Sequence, residues 1–138
     1  MAAKMVKDLM TPNPTTVEPD TPVAEAAKQM AREDVGPLPV VEDGRLVGIV
    51  TDRDLVVRVL ADERDPGSTR VRDAASEGLV TVSPDDDLVT TLDLLAKHQV
   101  RRLPVVEGDR LVGIVAQADV AREVGSAWVG DVVEDISR

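Results

Sequence analysis

The chain has 138 residues, 43% of them hydrophobic, and a formal charge of −10 at neutral pH. It contains no Cys, Phe or Tyr and a single Trp, which excludes disulfides and thiolate chemistry and leaves a core of aliphatic side chains. The acidic balance argues against a nucleic-acid backbone or an anionic membrane as partner, and no apolar run reaches the length of a bilayer span.

A short segment, Met5 to Met10, opens the chain and is stopped by Pro12-Asn13-Pro14. Thr15-Thr16-Val17 reads as a short strand ended by Pro19. Thr21 reads as a helix N-cap with Pro22 in the first helical position. Val23, Ala26, Ala27, Met30 and Ala31 then recur with the 3.6-residue period of an amphipathic helix. Leu38 to Val41, a tight Asp43-Gly44 turn and Leu46 to Val50 predict a β-hairpin. Both hairpin strands are apolar on both faces, which suggests a sheet covered on both sides. A second helix is expected to begin after Thr51 and run to about Leu60. Its stretch Leu55-Val-Val-Arg-Val-Leu60 is apolar nearly all round, so it needs cover from more than the core.

The polar segment Ala61 to Arg70 leads into a second copy of the same unit. Residues Val6 to Val59 align without a gap on Val71 to Val124, at an offset of 65 residues (71 − 6). Leu38-Pro-Val-Val-Glu42 returns as Leu103-Pro-Val-Val-Glu107, and Arg45-Leu-Val-Gly-Ile-Val50 as Arg110-Leu-Val-Gly-Ile-Val115. Val80-Thr81-Val82 repeats the strand, and Asp86 takes the cap position of Thr21. Leu88, Thr91, Leu92, Leu95 and Ala96 repeat the helical stripe. Gly108-Asp109 is the second turn, and a helix starts near Gln117. The organisation is therefore unit 1 at 1–60, a linker at 61–70, unit 2 at 71–124, and a tail at 125–138 in which Trp128 to Ile136 predicts a short terminal helix. Neither half alone would bury much apolar surface, so the two are expected to form one compact module.

Leu38-Pro-Val-Val-Glu followed by Gly48-Ile-Val-Thr-Asp-Arg-Asp54, in tandem, resembles the CBS-domain family, two units of which form a Bateman module. The likeness covers most of the chain, from about Val6 to Val124. His98-Gln-Val-Arg-Arg102 and Thr51-Asp-Arg-Asp54 are similar to small stand-alone bacterial CBS pairs of the hypoxic response type. The resemblance implies an α+β CBS-pair fold: two β-α-β-β-α units related by a pseudo-twofold and packed sheet to sheet, with a short C-terminal helix. It also implies a regulatory, non-enzymatic module that senses an adenosine-containing ligand such as AMP, ADP, ATP or S-adenosylmethionine in the cleft between units. No cofactor is required in this reading, and a homodimer formed through helices is expected. So are a cytoplasmic location and a protein partner not yet identified. The alternative is a ligand-free dimerisation scaffold with a vestigial cleft.

Transferred residue by residue, the resemblance assigns a stronger site to Ile49, Thr51 and Asp54 with Val80, Val100, Arg101 and Arg102. In it, Asp54 meets ribose hydroxyls and the arginines meet phosphate. A weaker site would combine Ile114 and Asp119 with Thr15, Val35, Gly36 and Pro37. There Ala116 replaces Thr51, and no cation comes from the positions of the arginines. Each candidate also has a plain structural reading. Thr51 and Asp54 have the spacing of a capping box, and the arginines could be a solvated loop pair. His98 suits a helix end better than catalysis or a metal. Asp85-Asp86-Asp87 suits helix capping better than a cation site. No nucleophile–base pair, P-loop or metal cluster stands out.

Overall fold

The computed structural model describes residues 4–76 and 79–126. The expected terminal helix and Trp128 lie outside these residues. The described chain forms two compact units. One comprises Asn13–Leu79 with the turn Gly108–Leu111, and the other the chain up to Pro12, Val80–Glu107, and the chain from Val112 onward.

The first-repeat unit contains α2 (Val23–Glu33), β2 (Pro37–Glu42), β3 (Arg45–Thr51), the helix α3 (Asp52–Asp54 continuing as Leu55–Leu60) and the short α4 (Val71–Ala74). Strands β2 and β3 pair antiparallel, with Leu38 opposite Val50 and a register shift between Val40 and Val41. Their turn places both Asp43 (φ 53°) and Gly44 (φ 81°) in the left-handed region, as a tight hairpin turn of this kind requires. The expected strand at Thr15–Val17 is reduced to one parallel bridge between Val17 and Val40, confined by Pro14 and Pro19. On the other edge, Ser76 bridges Ile49. Val17, Val23, Ala26, Met30, Leu38, Val40, Val50, Val59, Val71 and Ala74 form the buried core.

The second-repeat unit contains α1 (Val6–Leu9), β1 (Thr11–Pro12), α5 (Leu88–Lys97), β4 (Arg102–Glu107), β5 (Arg110–Ala116) and a helix, α6, at 117–126. Val82 bridges Val105 in parallel, as Val17 does Val40. On the far edge Thr11 pairs with Ile114 and Pro12 with Gly113. The segment that leads into the first repeat therefore completes the sheet of the second-repeat unit. This also gives the repeated glycine a reason. A Cβ on Gly113 would meet Met10 Sδ at 2.6 Å and Thr11 O at 3.0 Å, and one on Gly48 would meet Ser76 O at 3.2 Å. The sheet edge passes too close for a side chain. Val6, Val82, Leu88, Leu95, Leu103, Val105, Val115 and Val120 form this core, largely at positions equivalent to the first. Each fully buried Val or Leu is worth about 1.5–3 kcal/mol.

Two capping expectations shift by one residue. Pro22 is extended (φ −60°, ψ 141°) and stands before α2, so Thr21 is not the cap. The first amides of α2 are met by linker carbonyls instead: Val23 N donates to Thr69 O (2.9 Å) and Ala24 N to Pro66 O (3.0 Å). In the second repeat the cap is Asp87 rather than Asp86. Thr90 donates to it from both its backbone N (2.7 Å) and its hydroxyl (2.9 Å), while Asp86 accepts from Ser83 N (2.9 Å). Those bonds hold the Asp87 carboxyl below its ordinary range. Helices α2 and α5 both end through a left-handed residue that is not glycine, Asp34 and Gln99, each with φ 53°. The following amides close back five residues, Val35 N to Met30 O and Val100 N to Leu95 O, both at 3.1 Å. His98 is the C-cap of α5, the helix-end position expected of it.

Candidate functional site

In the first-repeat unit the chain leaves β3 at Thr51 and turns directly into α3. Thr51 is extended (φ −115°, ψ 162°), and its hydroxyl accepts from Asp54 N at 3.1 Å. Asp54 Oδ2 in turn accepts from Thr51 N at 2.9 Å. The Thr–Asp spacing thus forms a complete capping box. Asp54 has one carboxylate oxygen, Oδ1, outside that box, and Arg58 Nε lies 3.8 Å from it. The Asp54 side chain is only 13% exposed. Ile49, two residues upstream, is half-buried and doubly bonded to Ser76 (2.9 and 3.3 Å). Gly36 and Pro37 stand where the chain enters β2, and Gly36 O accepts from Asp52 N at 3.1 Å. Thr15 donates to Glu33 Oε1 at 2.5 Å, and Val35 is half-buried against the core.

In the second-repeat unit the backbone repeats this arrangement and the side chains do not. Arg101 O accepts from Gln117 N at 2.7 Å, the counterpart of the Gly36–Asp52 bond. Arg101 and Arg102 are exposed at the start of β4, beside the beginning of α6. Val100 is 37% exposed and Val80 half-buried. Ala116 offers no hydroxyl to cap α6. Asp119 faces Arg122 Nη1 at 3.6 Å with its side chain 45% exposed. Ile114 is half-buried and pairs with Thr11. The structure therefore unites Thr51 with Asp54 in one unit. It sets Arg101 next to the helix that carries Asp119 in the other.

Two depressions open on the first-repeat unit. One of about 550 Å³ is lined by Arg64, Asp65, Ser68, Thr69 and Asp73, and one of about 130 Å³ by Glu18, Pro19, Asp20, Val41, Glu42 and Asp43. The larger has no apolar wall to receive a base and the smaller is ringed by carboxylates, so neither suits an adenine nucleotide. Among the described residues, no three His, Cys, Asp or Glu side chains cluster to hold a metal, and no helix is long and apolar enough to cross a membrane.

Arg58 escaped the sequence reading. Its Nη1 donates to Ala74 O (3.4 Å) and Ala75 O (3.3 Å), which ties α3 to the end of α4. The apolar character of Leu55–Leu60 was legible: Val59 is buried, while Val56, Val57 and Leu60 are 55%, 48% and 62% exposed. This stretch is π-helical, with Ala61 N bonded to Val56 O and Arg64 N to Val59 O.

The sequence matches the CBS domain family twice, over residues 6–61 and 71–126. It is 43% identical over 133 residues to the CBS domain-containing protein YhcV of Bacillus subtilis, covering 96% of this chain and 94% of that protein. It is 37% identical over 119 residues to Hypoxic response protein 1 of Mycobacterium tuberculosis, covering 86% and 83%. Among solved structures, Hypoxic Response Protein I with two coordinated zinc ions is similar at a TM-score of 0.79 and 37% identity, over 86% of this chain and 98% of that one. CBSX2 in complex with AMP is similar at 0.78 and 29%, over 91% and 98%. The CBS pair of MJ0100 with 5-methylthioadenosine and S-adenosyl-L-methionine is similar at 0.78 and 27%, over 91% and 99%.

Proposed function

The chain belongs to the CBS-domain family, as a tandem pair, and on that premise we propose that it is a regulatory module that binds an adenine nucleotide. The observation that carries the proposal is the Thr51–Asp54 pair, which leaves a largely buried carboxylate oxygen free of the capping box. A carboxylate so placed is an acceptor for ribose hydroxyls. Neighbours of the same fold that hold AMP, S-adenosylmethionine and methylthioadenosine support the ligand class. In this proposal Asp54 takes the ribose, Thr51 and the Arg101–Arg102 pair the phosphate, and Ile49, Val80 and Val100 the base. The second set, Thr15, Val35, Gly36, Pro37, Ile114 and Asp119, has Ala116 in the place of Thr51 and no cation at the positions of the arginines, and takes a phosphorylated ligand poorly. Zinc is left out of the proposal, because the chain has one His and no Cys.

Signalling follows from differential affinity: a ligand that contacts both repeats favours the conformation in which both contacts exist. The exposed strip Val56, Val57 and Leu60 is the proposed homodimer surface through which the change is read. No chemistry on the ligand is part of this reading.

Isothermal titration with AMP and with adenosine tests it. Wild type is expected to prefer AMP. Asp54→Ala is expected to weaken both ligands, and Arg101→Ala with Arg102→Ala to weaken AMP on the order of tenfold, with little effect on adenosine. Failure of wild type to bind AMP, ATP or S-adenosylmethionine would leave the scaffold alternative standing.

A further inference from the structure

We propose that Arg58 is the positioning residue of the first-repeat site: it fixes the Asp54 carboxylate by tying it to the end of α4. The inference rests on the reading of Asp54 as a ligand residue. Asp54 has a partner on either side, a hydrogen bond on one and an ion pair on the other. Thr51 N donates to Oδ2 at 2.9 Å, and the Arg58 guanidinium stands 3.8 Å from Oδ1. Arg58 is itself anchored, because its Nη1 donates to the carbonyls of Ala74 and Ala75. Those carbonyls close a helix C-terminus, where a cation is favoured.

The same short stretch, residues 74–76, also holds Ile49 through the two Ser76 bonds. Two candidate ligand residues, Ile49 by the sheet edge and Asp54 by Arg58, are therefore braced by one segment. A guanidinium suits this task because its fork of N–H donors reaches carbonyls and a carboxylate together, which an ammonium does not.

The other repeat supplies an internal control. The position equivalent to Arg58 is Glu123, and the segment equivalent to residues 74–76 is Leu9-Met10-Thr11. A carboxylate has no proton to donate to the carbonyls of that segment. Glu123 is engaged by Lys4 Nζ at 2.5 Å instead. Asp119 has a guanidinium beside it, Arg122 Nη1 at 3.6 Å, but from a side chain that is 73% exposed rather than from the position of Arg58, and it is 45% exposed where Asp54 is 13% exposed. The difference between the repeats thus extends past Thr51 and Ala116 to the group that sets the carboxylate's orientation.

Three variants of the full chain test this: Arg58→Met, Arg58→Lys and Glu123→Gln. Two readouts are used, amide hydrogen exchange at Thr51 in ligand-free protein, and titration with AMP and with 2′,3′-dideoxyadenosine monophosphate. Arg58→Met is expected to speed exchange at Thr51 and to weaken AMP on the order of tenfold, the worth of one bond to a charged group. The loss should vanish for the dideoxy nucleotide, which has no diol to present to Asp54. Arg58→Lys should recover part of the AMP affinity, and Glu123→Gln should change neither readout. Equal losses for both nucleotides would mark Arg58 as merely structural and overturn the proposal, as would unchanged exchange at Thr51. If wild type binds no nucleotide, the ligand reading falls separately, and exchange at Thr51 still decides the clasp. Should Arg58→Met not fold, Arg58→Gln carries the same comparison.

Discussion

Replacing Thr51 by Ala separates the two roles its hydroxyl can fill. The substitution deletes one of the two reciprocal bonds of the capping box, the 3.1 Å contact to Asp54 N, and keeps the other, from Thr51 N to Asp54 Oδ2. Loss of a threonine cap costs about 1 kcal/mol, which for a chain of this length lowers the melting midpoint by roughly 3–4 °C. If the same hydroxyl meets a ligand phosphate, AMP affinity falls as well. One net hydrogen bond of about 0.5–1.5 kcal/mol corresponds to a loss of roughly two- to tenfold. Thermal unfolding followed by circular dichroism reads the first effect and isothermal titration the second. Thr51→Ser keeps the oxygen and should restore both. The loss of stability with AMP affinity unchanged would refute the functional half of the reasoning and leave Thr51 as a cap alone.

Gln99 holds φ 53° without a glycine's freedom or an asparagine's local bonding, so Gln99→Gly is expected to stabilise the chain by about 0.5–1 kcal/mol in chemical denaturation, and Asp34→Gly by less. Asp20, on which Arg72 donates two bonds, and Asp87, bonded by Thr90, sit below their ordinary value of 3.8. Their contribution is complete above that value and is lost as pH falls through the lower folded value, so Asp87→Asn should flatten the acid limb of stability against pH below about 4. Lys4 and Lys7, raised above 10.5 by the bonds they donate to Glu123 and Asp85, act in the opposite sense: their contribution is complete below 10.5 and disappears as pH rises through the higher folded value. Leu60→Glu places a charge on the exposed strip of α3 and is expected to convert a dimer to monomer in sedimentation equilibrium. A wild type that sediments as a monomer would contradict the dimer proposal.

What was legible in the sequence is what local periodicity and turn chemistry encode. The helices at Val23 and Leu88, both hairpins and the Thr51–Asp54 box are carried by residues within a few positions of each other, and the duplication by the return of those local patterns at an offset of 65 residues. What was missed depends on distant partners. Nothing local in Met5 to Pro12 or in Val71 to Ser76 says that each closes the sheet edge beside Ile114 or Ile49. The cap of α2 went unread for the same reason, since it comes from Pro66 and Thr69 on the linker. Among Asp85, Asp86 and Asp87, the choice falls to Thr90, which offers two donors to Asp87 alone. The helix ends at Asp34 and Gln99 carry no glycine to announce a left-handed residue. Arg58 looked like one charge in an apolar helix. Its meaning appears only once α4 brings two carbonyls to it.

The most direct test of the central claim is a crystal structure of the full chain grown with AMP. The expected result is one nucleotide with its ribose hydroxyls on the Asp54 carboxylate and its phosphate within hydrogen-bond reach of Arg101 or Arg102. A nucleotide bound elsewhere, or none at saturating AMP, would contradict the claim that the two repeats share a ligand.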